Sequence, residues 1–381
     1  MGMAAHGEPR FYDFLRENVL VTNGGAGFKL DITYLDHHLA KHNVYTEKIQ
    51  RVLGPPRRPD EEITERHYDI AASVQRALEE TVMHLARELH RSTGDKRLCL
   101  AGGVALNSVM NGRILREGPF EEIFIQPAAN DAGGALGSAL FVLHHRLNEP
   151  RRYQMRHAYL GPSFSSERCR SAARGAGLAF QEVERAILLS RSAKALASGK
   201  ILAWFQGGME WGPRALGHRS FLADPRNPRM KEILNERIKL REPFRPFAPS
   251  MLEEAAPRYF GSALRSPYML VVLPVLPERR AEIPAVVHVD GTARRQTVSR
   301  VEEPLYWDLI REFEKRSGVP VLLNTSFNIQ EPIVCTPEEA VATFRRSSVD
   351  SLVLEDIWID NPGRPSDASL ALEETRAESV V

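Results

Sequence analysis

The residues whose types and spacing are best suited to chemistry lie between Trp211 and Pro249, where cations are dense. Seven arginines and two lysines fall between Trp211 and Arg245, against four acids. Glycine and proline interrupt the run, so we expect loops and one short helix that hold guanidinium groups at fixed points. Arginine carries a rigid fork of donors that suits phosphate and carboxylate oxygens. The stretch therefore predicts a pocket for a small phosphorylated or carboxylated ligand.

The composition of the whole chain narrows the class of protein. Its 381 residues suffice for two or three domains, and 43% hydrophobic with 26% charged residues are ordinary values for a soluble protein. A net charge of +1 argues against a nucleic-acid partner bound by bulk electrostatics. The three cysteines are dispersed, which indicates a reducing compartment, and no apolar run approaches a membrane span of about 20 residues. We expect a cytoplasmic protein with no membrane partner.

The clearest helical pattern of the chain runs over 64–90, and a short strand is predicted at 96–101. A first glycine-rich turn follows this strand. The turn contains Gly102, Gly103 and Asn107. A strand, a glycine pair and a helix together let a phosphate or ribose approach the backbone at the helix N-terminus. The spacing matches neither a Walker A loop nor a Rossmann fingerprint, so simple tight packing is the alternative.

A second glycine-rich turn places Asp131 after a strand at 122–127 and before Gly133 and Gly134. Open α/β sheets place ligand or metal groups at this end of a strand, although helix capping explains an aspartate there as well, and both roles are compatible. His38 and His42 stand four residues apart, as two metal ligands on a helix would. No glutamate lies between them as a general base, and we favour an exposed, non-metal role.

The predicted organisation has a first domain at 1–150, a linker at 151–180, a second domain at 181–360 and a disordered tail at 361–381. A polar segment from Asn148 marks the first boundary, and the tail is rich in Pro, Ser, Ala and Glu. In the second domain an apolar strand at 319–323 leads into small polar residues at 324–328, and one last strand is expected at 351–359.

Eight segments spread over most of residues 7–345 carry a family resemblance. They are GEPRFYDFL, RHYDIAASVQRALEE, CLAGGVALNSVMNGRI, FIQPAANDAGGALGSAL, FQGGMEWGPRALGHRSFLADPR, KLREPFRPFAPSML, HVDGTARRQTV and VLLNTSFNIQEPIVCTPEEA. In this order they resemble the O-carbamoyltransferases of antibiotic and nodulation-factor biosynthesis, the NodU/CmcH type. Eight collinear segments are far more specific than any single motif, and the chain is identified as a member of that family.

The resemblance implies an α/β fold, in which the C-terminal portion of an actin-like (ASKHA-type) domain is followed by a YrdC-like domain. It also implies that carbamoyl phosphate and ATP, the latter with Mg²⁺, give carbamoyl adenylate and pyrophosphate. The carbamoyl group would then pass to a hydroxyl of a sugar or related natural product. Preorganised cations would stabilise charge on the phosphate oxygens, and neutral amide and hydroxyl groups would bind the carbamate.

The positions that match the family's motifs receive roles by the same resemblance. The expected catalytic residues are Arg214, Lys239, Arg245 and Arg294, and the expected substrate-binding residues are Asn324 and Ser326. Nucleotide binding is expected at Gly102, Gly103 and Asn107, and Asp131 would be the single carboxylate ligand of an Fe²⁺-type metal.

One departure from the family concerns the N-terminal side. The family pattern extends further before GEPRFYDFL, where half of the actin-like domain and a two-histidine metal motif should lie. We therefore expect a fragment, a mis-started gene product, or half of a split enzyme whose second chain supplies that lobe, with an incomplete metal site. A non-catalytic or partner-dependent subunit is an alternative, as is a tRNA threonylcarbamoyl-adenylate enzyme, which shares both folds.

Overall fold

The computed structural model describes residues 1–22, 25, 27–36 and 44–361. The chain divides into two compact units. The first comprises Met1–Asp131 with Leu270–Leu273 and His288–Thr292, and the second comprises Ala132–Met269, Pro274–Val287 and the chain from Ala293. This division falls at Asp131, whereas the sequence predicts a first domain that extends to residue 150.

The first unit is built around one long helix. Its elements are α1 (Tyr12–Phe14), β1 (Leu20–Thr22), β2 (Phe28–Leu30), α2 (Glu47–Leu53), α3 (Glu65–Thr93), β3 (Arg97–Leu100), α4 (Ser108–Glu117) and β4 (Glu122–Ile125). Helix α3 confirms the helix predicted over 64–90. Thr64 and His67 cap its N-terminus reciprocally, and Gly94 ends it in a left-handed conformation with φ of 69°.

Strands β3 and β4 pair in parallel, and α4 forms the connection between them. Met83 and Ala86 of α3 pack with Leu98, Met110 and Ile114, which belong to β3 and α4. Because parallel strands end at the same edge of a sheet, this βαβ arrangement brings together the segments that follow β3 and β4.

The remaining elements lie after Asp131. They are α5 (Gly133–Phe141), α6 (Ser166–Gly175), β5 (Gln181–Glu182), α7 (Arg185–Ala197), β6 (Leu202–Phe205), β7 (Arg219–Ala223), α8 (Met230–Ile233), β8 (Ala248–Leu252), α9 (Ala256–Phe260), β9 (Val271–Pro274), β10 (Thr292–Val298), α10 (Pro304–Ser317), β11 (Val321–Ser326), α11 (Pro337–Arg346), β12 (Ser351–Leu354) and β13 (Ile357–Asp360). Helix α8 continues into a π-helical turn, Leu234–Lys239. Residues 271–273 of β9 and Thr292 of β10 belong to the first unit.

A mixed sheet forms the centre of the second unit. Among the described residues its strands are neighbours in the order β5-β13-β12-β6-β7-β11-β8-β10. The pairing is antiparallel except between β12 and β6 and between β8 and β10. Helices α7 and α10 cover one face, where Leu196 and Phe313 pack with Trp204, Leu222 and Leu322 of the strands. This architecture confirms the predicted α/β class.

The structure corrects the sequence-based elements at two places. The cation-rich stretch contains the predicted short helix, but it also contains strand β7 and the start of β8 where loops were expected. The single strand predicted over 351–359 is a hairpin of β12 and β13, with Glu355 at the turn in a left-handed conformation, φ 53°. The segment 151–180, predicted as a linker, contains helix α6, in agreement with the helical pattern of residues 165–177; its Cys169 and Ala173 are fully buried.

Two predictions fall on residues outside the described part of the chain. They are the histidine pair His38 and His42 and all but the first residue of the tail at 361–381. In the described residues, no helix combines the length and apolar character that crossing a membrane requires.

Candidate functional site

One face of the sheet in the second unit changes from apolar to polar along its strands. Leu322 of β11 lies in the core beneath α10, and Asn324 and Ser326 follow at steps of two residues. Side chains two residues apart in a strand point to the same face. The core face therefore continues into the polar cluster that the sequence predicts at 324–328.

Asn324 is fully buried and connects three neighbouring segments. Its Nδ2 donates to the Ser250 Oγ of β8 (2.9 Å), to Gln296 Oε1 of β10 (3.2 Å) and to the main-chain oxygen of Ala215 (3.2 Å). Ser250 donates in turn to Gln296, and Gln296 donates to the Leu216 carbonyl at 2.6 Å. This hydrogen-bond network connects strands β8, β10 and β11 to the loop that follows Trp211.

That loop joins β6 to β7 and is shaped by a buried carboxylate and a glycine. Glu210 Oε1 accepts hydrogen bonds from the amides of Leu216 and His218, at 2.7 and 2.9 Å. Gly217 has φ of 111°, and a Cβ there would lie 2.3 Å from the ring of Tyr306. Glycine is therefore required at position 217. The loop that these contacts fix also carries Arg214.

Arg294 lies on β10, two residues before Gln296, and so on the same face as the polar network. It is half-buried, and among the described residues its side chain has neither a hydrogen-bond acceptor nor an ion-pair partner. Burial, together with the charges of Arg214 and Arg241, holds the pKa of Arg294 well below its usual range. Burial likewise lowers the pKa of Arg214. Arg214 and Arg241 are thus close enough to Arg294 for their charges to act on it.

Lys239, at the end of the π-helical turn, is buried beside the end of β11. Its Nζ donates to the carbonyl and Oγ of Ser326 at 2.5 and 3.2 Å, and to the carbonyl and Oδ1 of Asn328 at 2.8 Å each. Burial, and to a smaller extent the charge of Arg241, lowers the pKa of Lys239 well below its ordinary value. All of these acceptors are neutral groups, so Lys239 makes no direct ion pair among the described residues, although the charge of Glu331 favours its protonated form.

An open cleft of about 600 Å³ lies in front of this lysine. The residues that line it are Lys239, Leu240, Arg241, Glu242, Arg245, Ser326, Asn328, Ile329 and Gln330. Arg245 pairs with Glu242 at 2.7 Å, and both side chains are about half exposed. Burial and the neighbouring Arg245 lower the pKa of Arg241 to about 10. A volume of this size suits a ligand of nucleotide or smaller dimensions.

The second unit therefore brings together the predicted residues Arg214, Lys239, Arg294, Asn324 and Ser326, with Arg245 at the mouth of the cleft. Glu242 is the acid that lines this cleft, and it is already paired with Arg245. Among the described residues the side chain of Arg294 has no acceptor, and the nearby charges of Arg214 and Arg241 make its surroundings favourable for an anion.

The predicted residues of the first unit lie around the edge of β3 and β4. Gly102 has φ of 94°, and its amide donates to the carbonyl of Ala129 at 2.7 Å. Asn107 caps α4 by accepting from the amide of Met110, and it exchanges hydrogen bonds with the side chain of Gln75. Among the residues that the structure describes, no atom lies within 4 Å of a Cβ added at Gly102 or Gly103, so tight packing against them does not explain this glycine pair.

Asp131 is exposed at the end of the same edge. Among the residues that the structure describes, no group of three or more histidine, cysteine, aspartate or glutamate side chains could hold a metal ion. One exposed carboxylate does not supply the several ligands that a divalent iron needs. The described residues therefore do not fit the metal that the family resemblance implies.

Two residues of the cleft were missed by the sequence-based prediction. Arg241 stands between the predicted Lys239 and Arg245, and Asn328 supplies two of the four oxygens that bind Lys239. The available signal was their position within the motifs KLREPFR and NTSFN, which already contained predicted residues.

A buried pair beneath the loop was also missed. His218 Nε2 is 2.8 Å from Glu303 Oε1, its Nδ1 is 2.6 Å from the Gly208 carbonyl, and its ring stacks on Tyr159 with centroids 3.8 Å apart. Burial disfavours the imidazolium, but the hydrogen bond and charge of Glu303 and the charge of Glu210 outweigh it and raise the pKa of His218. No sequence spacing predicts a pair separated by 85 residues.

Comparison with known protein families matches both parts of the chain. The family model for the carbamoyltransferase N-terminus matches residues 1–140, and that for the carbamoyltransferase C-terminus matches residues 193–361. The second match includes the cleft, Arg214, Arg294 and the end of β11.

Three similar proteins extend this result. An uncharacterized protein of Synechocystis sp. is 42% identical, over 96% of this chain and 64% of its own length. Nodulation protein NolNO of Sinorhizobium fredii is 43% identical over 93% of this chain and 51% of its own length. Nodulation protein NolO of Bradyrhizobium diazoefficiens is 40% identical over 93% of this chain and 64% of its own length. The chain thus spans about half to two thirds of the length of these relatives. With both family models matched in order, the chain belongs to the carbamoyltransferase family.

Proposed function

We propose that this protein activates a carbamoyl group as carbamoyl adenylate, from carbamoyl phosphate and ATP, for transfer to a hydroxyl of a sugar or other small natural product. The observation that carries the proposal is Arg294. It is a half-buried cation without an acidic partner among the described residues, and Arg214 and Arg241 lower its pKa further. Such a cluster favours a ligand with several negative charges, and both substrates have them.

The proposed chemistry balances in three steps. Water first attacks the phosphorus of carbamoyl phosphate, the bond from that phosphorus to the carbamate oxygen breaks, and inorganic phosphate and carbamate result. A carbamate oxygen then forms a bond to the α-phosphorus of ATP, and the bond from that phosphorus to the β-phosphate oxygen breaks, which releases pyrophosphate. In the last step an acceptor hydroxyl attacks the carbamoyl carbon, its proton is lost, and AMP departs.

The cations of the cleft, together with Arg214 and Arg294 beside it, have an electrostatic role in these steps. Negative charge moves among phosphate oxygens as pyrophosphate leaves, and Arg214, Arg245 and Arg294 would stabilise it without reorganising. Lys239 adds charge and, through its bonds to Ser326 and Asn328, fixes the end of β11. We assign Asn324 and Ser326 to the amide and carbonyl of the carbamoyl group, which are neutral and need hydrogen-bond partners rather than a charge.

The first unit has a smaller part in this proposal. We assign the open Gly102–Gly103 turn, with Asn107, to the nucleotide or to the acceptor side of the reaction, because a backbone without side chains admits a phosphate or ribose closely. Mg²⁺ would arrive bound to ATP. No step is assigned to an iron-type metal, and a second chain that completes the first domain stays a prediction.

Pyrophosphate release tests the proposal. The full chain is incubated with carbamoyl phosphate and Mg-ATP, pyrophosphate is quantified enzymatically, and carbamoyl adenylate is identified by mass spectrometry. We expect release that depends on carbamoyl phosphate. If neither release nor binding of either substrate is measurable, the proposal is wrong. If bicarbonate and threonine support release instead, the threonylcarbamoyl alternative replaces it.

A further inference from the structure

The segment that carries Arg241 and Arg245 reverses direction directly after the π-helical turn. Leu240, at the reversal, has φ of 45°, a left-handed conformation that is unfavourable for a residue with a side chain. Such a conformation persists only where neighbouring contacts determine it. The contacts around this segment therefore decide where the two arginines lie.

A single buried side chain makes most of these contacts. Asn235 is fully buried, and its Nδ2 donates to the carbonyl of Arg245 at 3.0 Å and to that of Pro243 at 3.5 Å. Its Oδ1 accepts from Nε of Arg241 at 2.8 Å, and its main-chain oxygen accepts from the Arg241 amide at 3.1 Å. Both halves of the carboxamide are thus used to fold the segment back on the helix.

The bond to Nε has a specific effect on the guanidinium. It fixes the rotation of the Arg241 side chain about its last bonds and leaves both terminal amino groups unused. Among the described residues, neither terminal amino group has an acceptor, while the side chain lines the cleft and lies within electrostatic reach of Arg245 and Arg294. A fork held in this way is ready to bind two oxygens of one phosphate.

We propose that Arg241 is a further anion-binding residue of the cleft and that Asn235 is the positioning residue that orients it. The proposal deepens the function proposed above and rests on it. The ligand class is a phosphate or pyrophosphate group. Asn235 touches no ligand in this role, so its contribution passes entirely through Arg241 and the carbonyl-bound segment that follows.

The test is a double-mutant cycle on the full chain, with inorganic pyrophosphate as the probe and calorimetric Kd as the readout. Asn235→Ala should weaken binding about tenfold, the size of one lost hydrogen bond to a charged group. Arg241→Ala should weaken it at least as much. In the double variant the loss should be smaller than the sum of the two single losses, because part of the contribution of Asn235 passes through Arg241.

Two further variants separate positioning from a general effect on folding. Asn361→Ala removes another asparagine whose Nδ2 donates to two carbonyls, those of Ser347 and Val349, and it should lower the thermal midpoint without changing the Kd. Asn235→Asp keeps the acceptor for Arg241 but adds a carboxylate that competes with the anion, so it should bind pyrophosphate more weakly than Asn235→Ala.

The results distinguish this inference from the proposed function. Additive losses in the double variant, or Asn235→Ala with the Kd of the wild type, would overturn the positioning role. A wild type that binds pyrophosphate with the predicted cycle but releases none from ATP and carbamoyl phosphate would overturn the proposed reaction alone. A wild type that binds no pyrophosphate would overturn both.

Discussion

Arg294 and Arg295 are neighbours on β10, and they show two opposite uses of a buried arginine. Arg295 is fully buried, donates to the carbonyls of Ser262 (3.1 Å) and Leu264, and stacks over the ring of Phe260 at 4.8 Å. Arg294, on the other face, has no such partner among the described residues. Burial lowers the pKa of both, to about 10 for Arg295. A lowered pKa therefore does not separate a structural cation from a ligand-binding one.

What separates the two arginines is whether the protein satisfies their donors. Arg219 belongs with Arg295, because it is fully buried, donates to the carbonyls of Gln206 and Gly207, and lies 3.5 Å above the ring of Phe205. Arg226 is satisfied by Asp224 at 2.6 Å. The guanidinium of Arg294 and the terminal amino groups of Arg241 have no acceptor among the described residues, and other cations lie nearby. We therefore propose these two arginines as ligand-binding residues.

The largest expected effect on stability comes from the satisfied arginine. Arg295→Gln removes the donors of two carbonyls and leaves a void over Phe260, so the free energy of unfolding should fall by about 3 kcal/mol. Urea denaturation measures this value. Arg168→Gln, at an exposed ion pair with Glu338 (2.9 Å), is the control and should cost less than about 0.5 kcal/mol. Equal losses for the two variants would contradict the distinction.

The matched substitution on the other face should have the opposite profile. Arg294→Gln removes a cation that repels its neighbours, so the thermal midpoint should stay unchanged or rise. Binding of pyrophosphate should weaken about hundredfold, because a charge-assisted bidentate contact is lost. Calorimetric titration and thermal unfolding of the same sample measure both values. A destabilised variant with intact binding would place Arg294 with Arg295.

Lys239 lies between these extremes, since neutral oxygens bind it while it also lines the cleft. Lys239→Met removes the donor of the Asn328 carbonyl, whereas the Ser326 carbonyl and Asn328 Oδ1 keep bonds from the Asn328 amide and the Ser326 hydroxyl. We expect a loss of about 2 kcal/mol in the free energy of unfolding. Pyrophosphate binding should weaken about tenfold. Urea denaturation and calorimetry again give the two values. A change in only one of them would assign Lys239 to one class.

The smallest effect concerns a histidine whose charge the protein does satisfy. Because Glu303 and Glu210 outweigh burial and raise the pKa of His218 above 6.5, the pair with Glu303 stabilises the fold fully below about pH 6.5. This contribution is lost as pH rises through the raised value. Glu303→Gln should therefore cost about 1 kcal/mol at low pH and less at higher pH.

Urea denaturation of both proteins between about pH 5.5 and 8.5 checks this trend, because groups that titrate alike in the two proteins cancel in the difference. A difference between wild type and Glu303→Gln that grows with pH would contradict the assigned direction. Such a result would mean that burial, not the neighbouring carboxylates, sets the charge of His218.

The sequence predicts those parts of the fold that depend on local pattern. The period of apolar residues identified α3, and short apolar runs identified β3, β4, β6 and the start of β11. Strand β7 was missed because its Arg219 and Ser220 are buried and break any alternation. The hairpin after 351 was missed because a left-handed Glu355, unlike glycine or asparagine, gives no turn signal.

The same limit applies to the site. Family motifs predicted Lys239, Arg294 and Ser326. The structure places all three in the second unit, on or beside the strands that carry the polar network of Asn324. Which arginines are satisfied could not be predicted, because the partners of Arg219 and Arg295 are main-chain carbonyls of distant segments. Neither the contacts of Asn235 nor the pair of His218 with Glu303 follows from spacing, since tertiary packing determines both.

The most direct test of the central claim is pyrophosphate release from Mg-ATP with and without carbamoyl phosphate, measured for wild type, Arg294→Gln and Arg295→Gln at equal folded concentration. The account predicts release that depends on carbamoyl phosphate in the wild type, a loss of about hundredfold in Arg294→Gln, and wild-type release from folded Arg295→Gln. Equal release by all three proteins, or release that does not depend on carbamoyl phosphate, would contradict it.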